Sequence, residues 1–210
     1  VTPQGIGPTY DTSNWKKVGG QKGTAAGGFY VDPDTGQQYY VKKPKGGDMQ
    51  AVNEVLASAL YEAAGLDVGR AFLGKNKQGD TVIVSPVIDG TDGILADIAP
   101  NQNITDEIKK GFAVDAWMNN YDVIGLEKDN IIVAGIKPYR IDAGGALLFR
   151  AQGQSKAEEM DTNVSEQIDS MRDPDVNPQA ASIFGDMTDA EIAESAKLVE
   201  RIDEATIDDL

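Results

Sequence analysis

The sequence lacks both cysteine and histidine. Without cysteine, the chain can form no disulfides, thiolate nucleophiles or cysteine zinc sites. Without histidine, it can have no Ser-His-Asp triad, no histidine metal ligand and no imidazole general base. Any acid–base chemistry must therefore come from carboxylates, lysine or tyrosine.

Long apolar runs and a basic leader are also missing. No stretch approaches the ~20 apolar residues that a membrane-spanning helix needs. Residues 1–8 (VTPQGIGP) contain neither a basic region nor an apolar core, so we expect no signal peptide and a cytoplasmic or virion-associated protein. The chain begins at Val1 and not at methionine, which would suit a processed piece of a longer protein.

Positive charge is scarce: 19 Lys and Arg face 34 Asp and Glu, which gives a net charge of −15. Such a surface repels nucleic acid phosphates and anionic lipid headgroups, so we expect neither nucleic acid nor a membrane as partner. The simplest explanation of the acidic surface is that it keeps the protein soluble. A high-salt habitat and a basic partner are the alternative explanations. A phosphate-bearing ligand would need local lysines or a divalent cation.

The order of apolar patterns predicts an α+β chain with two lobes. Residues 1–13 are rich in Pro, Gly and Thr and suggest an extended arm or linker. Residues 14–88 predict a small antiparallel β lobe with one helix over Met49–Ala64. Residues 89–210 predict a mainly helical lobe, in which Thr188–Glu191 forms a capping box.

A glycine-rich loop is predicted between the first two strands, with five glycines in residues 19–28. Glycine lets backbone N–H groups approach phosphate oxygens without obstruction by Cβ. Gly20, Lys22, Gly23 and Thr24 are the candidate contacts. The loop matches neither G-x-G-x-x-G nor G-x-x-x-x-G-K-[ST], and a flexible hairpin loop is the alternative.

Two lysines end the third predicted strand in Val41-Lys42-Lys43-Pro44. Because strand side chains alternate, only one can face a bound ligand, and we choose Lys42. Glu54 on the following helix is a candidate ion-pair partner for Lys42. The alternatives are an ordinary edge-strand lysine and an exposed helical glutamate.

Three oxygen-bearing residues, Asp122, Asn130 and Asp142, stand out in the second half. Asn130 and Asp142 flank a predicted hairpin of Ile131–Val133 with Tyr139–Ile141, which would bring them together. Carboxylate and amide oxygens suit Mg²⁺, and a carboxylate can orient an acceptor hydroxyl. The alternative is that these residues only form turns.

The order Lys42, Glu54, Asp122, Asn130, Asp142 resembles the protein-kinase-like superfold, especially its HipA-like and phosphoinositide-kinase-like branches. The segments GGQKG, YVK, NYDVIGL, DNI and RIDAGGAL also resemble compact kinase-like domains of phage and prophage head-associated proteins. The similarity covers roughly residues 14–200.

The resemblance implies a phosphotransferase that uses ATP and Mg²⁺ and acts on a protein hydroxyl. Lys42 would clamp phosphates, Asp122 would be the catalytic base, and Asn130 and Asp142 would hold the metal. Backbone groups from Ser85 to Val87 would meet adenine where the lobes join. Phage head components are candidate partners.

Several features depart from that family pattern. Seven residues separate Asp122 from Asn130, where four are usual, and Tyr121 and Val123 flank Asp122 in place of His or Arg. Asp129 is the fallback base. No long activation segment or Ala-Pro-Glu motif follows Asp142.

Two alternative functions stay open. One is a pseudokinase or virion-associated nucleotide-binding domain without turnover, and the other is AMP transfer on the same fold.

Overall fold

The first lobe is built around a six-stranded sheet. The computed structural model describes residues 6–99, 101–156 and 164–210. The strands are β1 (Tyr10–Asp11), β2 (Lys16–Gly19), β3 (Gly27–Val31), β4 (Gln38–Lys42), β5 (Phe72–Lys75) and β6 (Thr81–Pro86). They follow the spatial order β1-β5-β6-β4-β3-β2, and all neighbours are antiparallel except β1 with β5. Because β4 is hydrogen-bonded on both edges, its side chains are fixed toward one face or the other.

One long helix, α1 (Gly47–Ala63), packs on the inner face of this sheet and also against the second lobe. Val55 packs with Ile83 of β6, while Leu60 belongs to the cluster shared with the helical lobe. The helix starts two residues before the predicted range Met49–Ala64. Since it has neighbours on two sides, α1 is the main connection between the lobes.

Residues 6–13 belong to the sheet lobe, unlike the arm predicted over 1–13, of which residues 1–5 lie outside the described residues. β1 pairs with β5, and the Tyr10 ring packs against aromatic rings on the outer face of the sheet. Ile6 is buried in the core beneath α1. Burial of these apolar groups offsets the entropy lost when a Pro- and Gly-rich segment becomes ordered.

The second lobe combines a small sheet with several helices. Its strands are β7 (Gly93–Ile94), β8 (Ile131–Ala134) and β9 (Lys137–Arg140), antiparallel in that order. Its helices are α2 (Gln102–Lys109), α3 (Phe112–Trp117), α4 (Val164–Arg172), α5 (Pro178–Phe184), α6 (Asp189–Val199) and α7 (Glu204–Asp209). The predicted two-lobed α+β plan is thus confirmed. None of the helices within the described ranges has the length and apolar character of a transmembrane span.

Side-chain caps fix where two of these helices begin. Thr188 accepts from the Glu191 N–H and the Glu191 carboxylate accepts from the Thr188 N–H at 2.7 Å, which is the predicted capping box. Asn177 caps α5 by accepting from the Ala180 N–H at 3.1 Å. The Asn177 amide also donates to the Tyr121 carbonyl at 2.8 Å, which holds α5 against the loop after α3.

A buried ion pair fixes β9 to α3. Arg140 Nε lies 2.8 Å from Asp115 Oδ1, and Arg140 Nη2 lies 2.7 Å from Asp115 Oδ2. Tyr61 of α1 donates to Asp115 Oδ1 at 2.8 Å, and Asn120 donates to the Tyr61 hydroxyl at 2.8 Å. Because the four side chains come from α1, α3, the following loop and β9, this network sets the relative positions of those elements.

We expect Asp115→Asn to destabilise the protein by about 3–5 kcal/mol, since it leaves the Arg140 guanidinium buried without a counter-charge. Urea unfolding followed by circular dichroism measures the change. Glu194→Gln, which breaks an exposed pair with Lys197, is the control and should leave the midpoint unchanged. Equal midpoints for both variants would contradict this account of the ion pair.

Candidate active site

Lys42 connects carboxylates from both lobes. Its side chain points from β4 toward α1, and its Nζ lies 2.8 Å from Glu54 Oε1 and 2.6 Å from Asp142 Oδ1. The Glu54 side chain is 5% exposed and that of Asp142 is 56% exposed. Lys43 points to the other face and bonds Asp80 at 2.9 Å, as strand alternation requires. A single ammonium therefore links a buried carboxylate to a solvent-facing one.

Burial and charge together set the protonation of this pair. Burial raises the pKa of the Glu54 carboxyl to about 7, although the attraction of Lys42 acts in the opposite direction. Burial alone would lower the pKa of Lys42, but the carboxylates of Glu54 and Asp142 outweigh it and raise that pKa. Lys42 therefore stays protonated at neutral pH and offers a fixed positive charge to an anion.

Asp122 and Asn130 are joined within the loop between α3 and β8. Asn130 Nδ2 donates to the Asp122 carbonyl at 2.6 Å and to Asp122 Oδ2 at 3.2 Å. The Ile141 N–H donates to the Asn130 carbonyl at 2.9 Å, which closes the β8-β9 hairpin. The structure thus places Asn130 and Asp142 at the same open end of the hairpin.

The Asp122 carboxyl lies in an acidic, partly buried position. Burial is the largest effect and raises its pKa, while the hydrogen bond from Asn130 opposes the rise. The charges of Asp142 and Asp129 raise the pKa further, and Lys156 lowers it. A carboxylate whose pKa is raised in this way binds a proton more readily, which suits a general base.

The backbone at Asp142 is left-handed, with φ 54° and ψ 53°. This conformation costs a residue with a Cβ about 1–2 kcal/mol, and such strain concentrates at functional sites. The residues that follow, Ala143–Gly145, form a tight 3-10 turn. A Cβ on Gly144 would lie 2.8 Å from Glu54 Oε2, so glycine is needed for the turn to approach the buried carboxylate.

The glycine-rich loop is held by a tyrosine that shares a face of β4 with Lys42. The Lys22 N–H donates to the Tyr40 hydroxyl at 2.9 Å, and this hydroxyl donates to the Lys22 carbonyl at 2.7 Å. Because Tyr40 and Lys42 alternate with Val41, both point to the same side of the sheet. Gly20 and Gly23 are exposed in this loop.

Thr24 contacts Lys45, which was not among the predicted site residues. Lys45 Nζ donates to Thr24 Oγ1 at 2.8 Å and to Gln152 Oε1 at 2.6 Å. Lys45 therefore links the glycine-rich loop to a segment of the second lobe. Lys45 follows Lys42 and Lys43 closely in the sequence, which could have marked it as a candidate. It was not predicted, because Pro44 indicates that the strand ends before it.

The predicted adenine contacts lie at the end of β6. Ser85 pairs with Tyr40 across the β4-β6 ladder. The Val87 N–H donates to the Gln38 carbonyl at 3.1 Å. This N–H is therefore used within the sheet.

A cavity of about 450 Å³ lies on the opposite face of the same sheet. Its lining includes Trp15, Tyr30 and Lys43. Glu54 and Asp142 do not belong to this lining. Lys42 also borders the cavity, but the two carboxylates that it contacts do not, so the cavity lies apart from Glu54 and Asp142.

Asn130 and Asp142 have the donor atoms that suit Mg²⁺. Asn130 Nδ2 donates to Asp122, so the amide oxygen is the atom left to act as a ligand. Across residues 6–99, 101–156 and 164–210, no three His, Cys, Asp or Glu side chains form a metal site of their own. Mg²⁺ held here would therefore take further ligands from water and phosphate, as it does in nucleotide sites.

Comparison with known proteins shows the fold. No protein-family model and no curated protein matches the sequence. Solved structures do match, among them the crystal structure of CtkA, a Helicobacter pylori proinflammatory kinase, with a TM-score of 0.51 and 14% identity over 95% of this chain and 97% of CtkA. The chain therefore has a two-lobed, kinase-like α+β fold, as the sequence predicted.

We expect Gly144→Ala to destabilise the protein by about 1–3 kcal/mol, because the added methyl group displaces Glu54 or the turn. The neighbouring Gly145→Ala is the control, since a Cβ there would meet its nearest atoms at 3.4–3.5 Å. Thermal unfolding of both variants measures the difference. A loss as large for Gly145→Ala as for Gly144→Ala would show that the contact with Glu54 is not the cause.

Proposed function

We propose that this protein is an Mg·ATP-dependent phosphotransferase that acts on a protein hydroxyl group. The observation that carries the proposal is the meeting of charged side chains from both lobes. Lys42 contacts Glu54 and Asp142, and Asp122 is bonded by Asn130 and lies within the electrostatic influence of Asp142. The kinase-like fold supports the same reaction class.

The first lobe supplies the groups for the nucleotide. Lys42 binds the α- and β-phosphates, and Glu54 holds its ammonium in place from the buried side. The backbone of the glycine-rich loop at Gly23, with Lys22 and Thr24, covers the phosphates. In this arrangement the contact of Lys42 with the exposed Asp142 carboxylate gives way to phosphate oxygens.

The second lobe supplies the groups for transfer. Asp122 accepts the proton of the acceptor hydroxyl as that oxygen attacks the γ-phosphorus. The bond from the γ-phosphorus to the bridging oxygen then breaks, and ADP leaves with the electron pair. Asn130 and Asp142 would hold Mg²⁺, which neutralises charge on the phosphates when bound.

The distribution of charge suits these two tasks. Residues 1–88 contain nine Lys and Arg against eight Asp and Glu, whereas residues 89–210 contain ten against twenty-six. The lobe that would meet ATP phosphates is thus not acidic, although the chain as a whole is. The acidic second lobe favours a basic protein segment as the acceptor and disfavours lipid headgroups.

One contact favours a second candidate, a nucleotide-binding domain without turnover. Lys42 and Asp142 are 2.6 Å apart, so the carboxylate that would ligate the metal is already paired. If that pairing persists, ATP binds but is not consumed. Stabilisation by ATP and Mg²⁺ without transfer of label would support this candidate over the enzyme, and mass spectrometry of a reacted acceptor would separate phosphate from AMP transfer.

Lys42→Met should abolish the thermal stabilisation that ATP with Mg²⁺ gives, because the phosphates lose the ammonium that Glu54 holds in place. Lys43→Met is the matched control, since Lys43 lies on the other face of β4 and bonds Asp80. Differential scanning fluorimetry with and without the nucleotide measures both. Retained stabilisation in Lys42→Met would exclude Lys42 as the phosphate ligand.

Asp122→Asn should lower label transfer from ATP by about 10²–10⁴-fold, the contribution of a positioned general base. Nucleotide binding should remain, because Lys42 and the glycine-rich loop are untouched. Transfer of the γ-phosphate label to a basic, hydroxyl-bearing protein such as a histone measures the rate. An unchanged rate would move the role of base to Asp129, tested with Asp129→Asn.

A further inference from the structure

A short β-hairpin, residues 148–156, follows the turn after Asp142 and was not predicted from the sequence. The Lys156 N–H donates to the Leu148 carbonyl at 2.7 Å, and the Arg150 N–H donates to the Gln154 carbonyl at 2.7 Å. Because Lys156 is the last residue of this hairpin, the pairing fixes the position of its backbone and therefore of its Cβ.

Asn53 of α1 fastens the base of this hairpin. Its buried amide donates to the Ala146 carbonyl at 2.9 Å, and its Oδ1 accepts from the Leu148 N–H at 3.0 Å. Asn53 precedes Glu54 in the sequence. The hairpin is therefore attached to the same helix that supports the candidate phosphate-binding lysine.

The Lys156 ammonium joins two loops of the candidate site. Its Nζ donates to the Asn119 carbonyl at 2.7 Å and to the Gly145 carbonyl at 2.7 Å, and the residue is 5% exposed. Asn119 lies three residues before Asp122, and Gly145 lies three residues after Asp142. A single buried cation thus holds the loop of the candidate base against the loop of the candidate metal ligand.

These two loops carry like charges that repel each other. The negative charges of Asp142 and Asp129 act on Asp122, and the positive charge of Lys156 acts against them. At an effective dielectric constant near 20, unit charges a few ångströms apart interact by about 4 kcal/mol. A cation between the loops therefore opposes their separation whether or not Mg²⁺ is bound.

Stability alone does not explain a buried lysine at this place. Burial lowers the pKa of the Lys156 ammonium to about 8, the nearby Arg150 charge acts in the same direction, and Asp122 opposes them. Moving a charged group out of water has a desolvation cost that can exceed the energy of its new interactions. A role in arranging the two loops accounts for the charge and for both of its hydrogen bonds.

We propose that Lys156 is a positioning residue for phosphoryl transfer, which fixes Asp122 relative to Asp142 by bridging the Asn119 and Gly145 carbonyls. The inference rests on the proposed phosphotransferase function. Lys156 acts through the two loops, and contact with the substrate is not required. Its loss should therefore slow the chemical step and leave ATP binding intact.

The test compares Lys156→Met with Lys109→Met. Lys109 is also buried, but it lies on α2, which carries none of the candidate site residues. Its Nζ bonds Asp186 at 2.7 Å. Label transfer from ATP gives kcat and KM, and hydrogen exchange of residues 119–125 and 143–147 reports the two loops without requiring activity.

For Lys156→Met we expect kcat to fall about 10- to 100-fold with KM for ATP within about twofold, and faster exchange in both loops. Lys109→Met should change neither. An unchanged kcat, or equal exchange in the two variants, would overturn the role of Lys156. If the wild-type protein transfers no label, the phosphotransferase proposal fails, and the exchange result still decides whether Lys156 holds the loops together.

Discussion

The bidentate ion pair between Arg140 and Asp115 joins the two elements that lead into the loops of Asp122 and Asp142. Arg140 ends β9, two residues before Asp142, and Asp115 lies on α3 shortly before the loop that carries Asp122. Tyr61 and Asn120 extend the network to α1 and to that loop. A buried ion pair contributes little net stability compared with apolar packing, so its importance here lies in the geometry that it imposes.

A second set of ionic contacts depends on that geometry. Lys42 can reach both Glu54 and Asp142 only because α1 and β9 are fixed relative to each other. On the other side of the same turn, Lys156 reaches the loops of both aspartates. The site therefore places two cations, the partly buried Lys42 and the buried Lys156, on either side of an acidic cluster, which keeps several carboxylates close together at neutral pH.

Local patterns in the sequence were sufficient for several of these features. Alternation along β4 predicted that only one of Lys42 and Lys43 faces the site, and the resemblance to the kinase pattern selected Lys42. The short apolar strands predicted the hairpin that brings Asn130 and Asp142 together. The roles of those residues stay predictions. Features that depend on distant partners could not be predicted in this way. Arg140 and Asp115 are 25 residues apart, and nothing in their local sequence indicates that they pair.

The same dependence on distant partners explains the other features that the sequence did not predict. β1 forms from a Pro- and Gly-rich segment because it pairs with the edge of β5. No local periodicity in the sequence predicts that pairing. The hairpin of residues 148–156 has no apolar alternation, and its position depends on Asn53 and the Gly145 carbonyl. Lys156 could therefore be recognised only after the chain was folded.

We propose that ATP phosphates and Mg²⁺ bind between Lys42 and Asp142. A crystal structure with a non-hydrolysable ATP analogue and Mg²⁺ would test this binding mode. We expect Lys42 Nζ to keep its contact with Glu54 and to exchange Asp142 for phosphate oxygens, and we expect Asp142 and Asn130 to lie about 2.1 Å from the metal. Nucleotide bound in the outer cavity beside Trp15 and Tyr30, with the Lys42–Asp142 pair intact, would contradict it.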